Sequence, residues 1–362
     1  MAEIDDTLPN ETITDEAFVE QEVTVPNEEM EESSEGVEVT MDEEGGAQID
    51  FDPKAEGLES QDHFSNLAEI MEDKYLGELG STLFDQYTEY KESRADWENT
   101  YREGLELLGF KYERRTEPFR GASGVNHPVL AEAVTQFQAQ AYKELLPADG
   151  PVRAQILGDI SNEKQDQANR VKDFMNYQIM DQMPEYEPEF DQMLFYLPLS
   201  GSTFKKIYYD DLLGRAVSKF VPADDLIVPY SANSLEDAEA IVHVIRMSEN
   251  EIRKQQVSGF YKDVEVGNPP VTSNELKDTE LKLEGITKNS NQDQFNLLEM
   301  HVDLDLEGFE DMGQDGEPTG IKLPYIVTIL ESTNEILSIR RNYTEDDPLK
   351  EKIKYFVQFK FL

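Results

Sequence analysis

The sequence predicts an α+β fold in which a helical layer precedes antiparallel β segments. Apolar residues recur at steps of three and four between Ser81 and Gly201, the period of an amphipathic helix. From Thr203 onward they fall in short runs rich in Val, Ile, Phe and Tyr, broken by turn residues, which is the signature of strands. The two regimes follow one another instead of alternating, which separates α+β from α/β.

Residues 1–63 stand apart from both. They hold 22 Asp or Glu against a single Lys, Lys54. Runs such as NEEMEESSEGVEV carry high charge and few large apolar groups. Such a segment buries too little surface to offset its ordering entropy, so a disordered acidic tail is expected. It reads as a solubilising extension, or as a docking arm for a basic partner. The imbalance extends to the whole chain of 362 residues, with 77 acidic and 32 basic side chains and a net charge of −45. That argues against broad nucleic-acid binding, which needs clustered Lys and Arg to neutralise phosphates. It is compatible with DNA passing close by, because an acidic wall repels DNA without gripping it. The absence of cysteine excludes disulfides, thiolate metal sites and cysteine nucleophiles. No apolar run approaches the roughly 20 residues of a membrane helix. No basic start followed by an apolar core marks a secretory signal.

Residues 64–202 read as mainly helical. Leu83, Phe84, Tyr87, Tyr90, Trp97, Tyr101, Leu105 and Leu108 predict one long amphipathic helix, capped at Ser81 and stopped at Gly109. Its aromatic stripe reads as core or subunit packing. In the following KYERRTEPFRGASGVNHP, Lys111, Arg114, Arg115 and Arg120 form the densest basic cluster of an acidic chain. They are candidates for pairing with the chain's own carboxylates, for an inter-subunit contact, or for a DNA-facing patch. Gly121 and Gly124 hint at a phosphate cradle, but the Gly-Lys-Ser/Thr ending of a phosphate-binding loop is missing. A helix is expected from Pro128 to Leu146, ended by Pro147-Ala-Asp-Gly-Pro151. Residues 152–157 read as a short strand. Asn162 with Gln165 resembles a capping pair for a helix to about Gln182, and another helix runs from Pro188 towards Gly201.

Residues 203–260 read as β-rich. TFKKIYYD, GRAVSKFV, DDLIVPY and EAIVHVIRM are strand-like, and Ser248 with Glu251 makes a capping box for a short helix to about Val257. Residues 261–294 are polar and read as an exposed loop. Residues 295–362 read as a β meander of FNLLEMHVDLDL, KLPYIVTILES, EILSIRRNY and a terminal YFVQFKFL. An apolar edge interrupted only by Lys360 is an aggregation hazard. That last strand must therefore pair back into a sheet, or the chain stops before its natural end.

No segment specifies an enzyme. Glu185, Glu187, Glu189 and Asp191 in PEYEPEFD offer carboxylates for acid–base work of the kind that cleaves glycosides. They support an alternative reading as a hydrolase, although acidic clusters are expected at this composition. Asp303, Asp305, Glu307 and Gly308 hint at a calcium loop. Its twelfth position would be Gln314, where an EF-hand needs a bidentate Glu, and an acidic hairpin turn fits better. His63, His127, His243 and His301 are far apart, and His243 inside a strand reads as a hydrogen-bonded structural imidazole. No nucleophile elbow or dinucleotide fingerprint is present. The expectation is no cofactor, no metal and no catalytic residue.

Four segments in collinear order carry a resemblance: GASGVNHPVLAEAVTQFQAQAYKELLPADGPV, LSGSTFKKIYYDDLLGRAVSKFVPADDLIVPY, AIVHVIRMSENEIRK and IRRNYTEDDPLKEKIKYFVQFKFL. Together they resemble the portal proteins of tailed double-stranded DNA phages, above all the large portals of short-tailed phages. The resemblance covers roughly residues 64–362 and leaves out the acidic tail. It implies a virion subunit, assembled in the host cytoplasm into a homo-oligomeric ring, commonly of twelve copies, at one capsid vertex. Its partners would be the terminase large subunit, capsid and scaffold proteins, the tail adaptor, and DNA passing through the channel, with no membrane. Residues 64–260 would contribute to a wing-like domain and residues 295–362 to wing or clip. Such portals continue beyond a strand like YFVQFKFL into channel and crown helices, so a chain that ends mid-domain is implied. ATP hydrolysis belongs to the terminase, so the resemblance supplies no catalytic residues. Another structural virion protein, a tail adaptor or scaffold, is the alternative.

Overall fold

The computed structural model describes residues 38–41, 47–50, 63–108, 119, 120, 122, 127–158, 161–210, 213–267, 269, 276, 279, 294–312 and 317–361. The chain divides into two units, residues 1–61 and 62–362. In the first, strands β1 (Glu38–Met41) and β2 (Ala47–Asp50) pair antiparallel, with Val39 opposite Ile49. Composition alone points to disorder there, but Val39 and Ile49 belong to two short alternating stretches, and alternation is what a strand needs. The rest of the expected disordered tail lies outside the described residues.

The second unit has the expected α+β order, helices first and antiparallel sheets after. Where one long helix is predicted, there are two, α1 (Asp73–Ser93) and α2 (Ala95–Leu108). The first starts at Asp73, ahead of Ser81, because Leu76 extends the buried stripe. The break falls at Arg94, whose backbone leaves the helical region (φ −102°, ψ 8°). Its buried guanidinium donates to the carbonyl oxygens of Ala223, Asp224 and Leu226 at 3.0, 2.6 and 3.0 Å, and to Glu98 at 2.8 Å. One charged fork thus satisfies three carbonyls of a tight turn. The break also divides the aromatic stripe. Leu83, Tyr87 and Tyr90 pack on a sheet, whereas Tyr101 and Leu105 pack with Tyr196 and Leu199.

Helix α3 (Val129–Leu145) matches expectation. Residues 152–157 form no strand. No partner strand among the described residues reaches them, and Leu157 is left 86% exposed. Helix α4 (Asn162–Tyr177) is capped by Ser161, whose Oγ accepts from the Lys164 N–H at 3.3 Å, and it widens into a π-helical turn at Gln178–Gln182. Near its end, buried Asn176 donates to the carbonyls of Asp149 and Val152 and accepts from the Val152 N–H at 2.9 Å. Gly150 (φ +88°) is required at that turn, since a Cβ would lie 2.5 Å from the Asn176 side chain. Helix α5 (Tyr186–Ser200) ends at Gly201 in the left-handed conformation that favours glycine.

Strands β3 (Ser202–Asp210) and β4 (Arg215–Val221) form a hairpin, and β5 is only Leu226–Ile227. Strand β6 (Ala240–Ser248) leads into α6 (Glu249–Val257) through the expected capping box, with the Ser248 N–H donating to Glu251 at 2.8 Å. The remaining strands are β7 (Gln294–Leu304), β8 (Leu323–Leu330), β9 (Glu335–Arg341) and β10 (Phe356–Lys360). Most of the expected loop at 261–294 lies outside the described residues. Strands β5 to β9 form one antiparallel sheet in sequence order. The terminal strand does not continue that meander. It joins the other sheet, order β10-β3-β4, with Phe356 opposite Lys206. This is where an apolar strand finds cover: Phe356 packs with Phe204 and Ile241, and Phe359 with the cluster around Phe190 on the opposite face.

The second unit is therefore layered. Helix α1 covers one face of the five-stranded sheet through Val242, Leu298, Met300, Val327 and Ile329. The opposite face meets the three-stranded sheet, whose own far side is covered by α5 and α3. Strand β7 is covered on both faces, so that Glu299 and His301 are drawn inside along with Phe295, Leu297, Leu298 and Met300.

Three substitutions test this packing. Gly80 of α1 approaches the β8–β9 turn so closely that a Cβ would lie 2.3 Å from the Asn334 carbonyl oxygen, whereas a Cβ on Gly77 meets nothing within 4 Å. Gly80→Ala should lower unfolding free energy by about 1–3 kcal/mol, while Gly77→Ala should raise it by roughly 0.5–1 kcal/mol. Urea unfolding reads both, and equal effects would refute the close approach. Arg94→Ala should cost about 3 kcal/mol in the same assay. A loss below about 1 kcal/mol would show that the three carbonyls find other partners.

Candidate functional site

Lys111, Arg114 and Arg115 of the predicted basic patch lie outside the described residues. Arg120 is exposed. The carboxylates of PEYEPEFD are brought together at the start of α5, and each has a structural partner. Glu185 pairs with Arg215 at 2.7 Å, and Glu187 accepts from the Tyr142 hydroxyl. Glu189 accepts from the Phe220 N–H at 2.5 Å, and Asp191 from Gln138 at 2.8 Å. They tie α5 to β4 and α3. Burial would raise the Glu185 carboxyl, but Arg215 holds it below the usual range. Burial raises Glu189, only partly offset by the Phe220 N–H and by Lys205. In the acidic turn after β7, Asp311 accepts from Thr319 at 2.7 Å and from Lys350. This fits a cross-linked hairpin turn.

The denser constellation lies where sequence reasoning placed none, around two adjacent lysines of β3. Successive residues of a strand point to opposite faces. Lys205 turns towards α5, where its ammonium lies 4.0 Å from the Tyr186 ring centroid and 3.4 Å from Ser218 Oγ. Burial lowers its pKa to about 8, with Glu189 and Glu185 opposing. Lys206 turns towards the five-stranded sheet and grips both oxygens of Glu299, at 2.6 and 2.7 Å.

Glu299 sits on β7 between two imidazoles. His301 Nε2 lies 3.0 Å from its Oε1, while His243 Nδ1 on the neighbouring strand is 3.8 Å away. The second distance is too long for a hydrogen bond. His243 Nδ1 is buried without a partner among the described residues, in contrast to the expected hydrogen-bonded imidazole. Phe356 of β10 closes the group, edge-on to His243 and His301 at 5.5 and 5.2 Å. Burial pushes the Glu299 carboxyl up, but Lys206 and the two imidazoles override it and hold the group well below the carboxylate range. Burial lowers the His301 pKa, and Glu299 offsets this only in part. At neutral pH the group is thus a charged Lys206–Glu299 pair beside a neutral His301. Glu299, already gripped by an ammonium, is a poor base, and the arrangement suits a structural lock between sheets.

A cleft of about 70 Å³ opens beside His301, lined by Ile241, Asn342, Lys352, Tyr355 and Phe356. Among the described residues no group of three or more His, Asp or Glu is arranged to hold a metal ion. No described helix is long and apolar enough to cross a membrane.

One signal for this site stands in the sequence itself. Charged or ionisable residues stand inside apolar strand runs, Lys205-Lys206 in TFKKIYYD and Glu299 with His301 in NLLEMHV. Ionic residues at such places are buried only when paired. Compared with known proteins, the chain matches no family model, and no curated protein matches it.

Acid should loosen this lock in two stages. An unfolded His takes up a proton near pH 6.5, whereas folded His301 resists it. The unfolded chain then binds more protons, so stability falls as pH drops through that value. Glu299, whose folded pKa is depressed, contributes stability above about pH 4.3 that is lost as pH falls towards its folded value. Unfolding free energy should decline more steeply between pH 7 and 5 in the wild type than in His301→Gln. Parallel profiles from urea titrations would remove His301 from this account.

Proposed function

We propose that the chain is a ring-forming structural subunit of the portal type, part of a virion vertex. There it would line the passage for double-stranded DNA during packaging and ejection, and dock terminase and tail. The observation that carries this reading is the outward apolar side of the helical layer. On α4, Val171, Phe174 and Tyr177 are 49%, 58% and 51% exposed, which suits a chain that is covered by other chains in an assembly. Two further features support it. The carboxylates best placed in sequence for acid–base work are bonded to neighbouring elements of the fold. The net charge of −45 suits a conduit that must let DNA slide. The collinear likeness of residues 64–362 to portal segments supplies the specific role.

Native mass spectrometry and negative-stain electron microscopy of the chain test this directly. Closed rings of many copies are expected. A monodisperse monomer at micromolar concentration would overturn the proposal.

A further inference from the structure

We infer that α4 is the helix by which one copy of this chain docks on the outer face of α2 of the next copy. This rests on the ring-subunit reading and names its contact.

The helix is amphipathic in the wrong direction for a monomer. Its more covered positions, Ala168, Lys172 and Asn176, fall four apart on one side. Val171, Phe174 and Tyr177, three apart, lie round on the other side and are about half exposed. A 16-residue helix with so little of its surface covered is marginal in water on propensity alone, and an apolar stripe on a helix marks the side that something else covers.

Charge identifies the occupant. Arg170 lies within the stripe, exposed and without an ionic or hydrogen-bonded partner among the described residues. The covering surface must therefore bring a carboxylate beside an apolar contact. The outer face of α2 has that chemistry. Asp96, Glu103 and Glu106 are exposed on it around Leu107, which is 65% exposed. Next to Leu107, Gly104 leaves a notch in which an added Cβ would meet nothing within 4 Å. An α4-to-α2 contact uses two different patches of one chain. It is heterologous, and such contacts close into rings when the rotation permits. Nucleic acid is a poor occupant, because Glu163, Asp166 and Asp173 share α4 with its basic residues.

The chain contains no cysteine, so paired cysteines report this contact cleanly. Phe174→Cys combined with Leu107→Cys should give a ladder of covalent multimers on oxidation, and either change alone should not. Independently, Arg170→Glu should weaken assembly at least about tenfold, the effect of losing roughly 1.4 kcal/mol, and adding Glu103→Arg should restore it. All these positions are exposed, so far-UV circular dichroism and melting should stay at wild-type values. If wild-type rings form but the double-cysteine chain gives no ladder and Arg170→Glu assembles normally, this contact is refuted while the ring-subunit reading stands. If the wild type is itself monomeric, both fall.

Discussion

The ion pair between Lys206 and Glu299 is the constraint around which the folded unit is arranged. Two charges removed from water are tolerated only with close mutual contact and further hydrogen bonds. Here both oxygens of Glu299 accept from the ammonium, and His301 adds a third contact. Because Lys206 lies on β3 and Glu299 on β7, the pair sets the two sheets in register. The ring of Phe356 faces the ammonium and stands edge-on to both imidazoles, closing one side of the group. That ring can occupy its place only because β10 returns from the far end of the chain to pair with β3.

The same strand connects the helical layer to the sheets. Lys205 points the other way from Lys206, into aromatic faces of α5, and so β3 carries a buried cation on each side. The helical layer is fixed from its other end by Arg94, which fastens the α1–α2 break onto the turn before β5. In both places a long basic side chain reaches across elements and satisfies groups that apolar packing would leave unpaired. The scarcity of basic residues in this chain makes their placement informative. Several that are buried or half-buried serve as ties within the fold.

Acidity on the outside and ionic locks on the inside divide the labour of the molecule. Inside, Lys206 is paired with Glu299 and Arg94 with Glu98, and Lys205 rests against the Tyr186 ring and the Ser218 hydroxyl, whereas carboxylates such as Asp96, Glu103 and Glu106 stay exposed on the surface. Such a surface disfavours casual association between copies, since like charges repel.

Much of the architecture was legible in the residues. Periodicity located helices α3 to α5 and strands β3, β4 and β6 to β9, the capping box at Ser248 was read from two side chains, and the acidic turn after β7 was recognised from its charge. Local patterns are legible because they report on neighbours a few residues away. The break at Arg94, the failure of residues 152–157 to become a strand and the departure of β10 from the meander were not. Each turns on what lies beside it in space: the turn at 223–226 for Arg94, β3 for β10, and, among the described residues, no neighbouring strand for 152–157. The Lys206–Glu299–His301 lock is of the same kind. Sequence by itself determined the α+β order, with helices ahead of the antiparallel strands, because the period of apolar residues is a local property. Tertiary structure alone decided which charged residues were buried and with whom, because the free energy of a buried charge depends on a partner that only the fold brings within 3 Å.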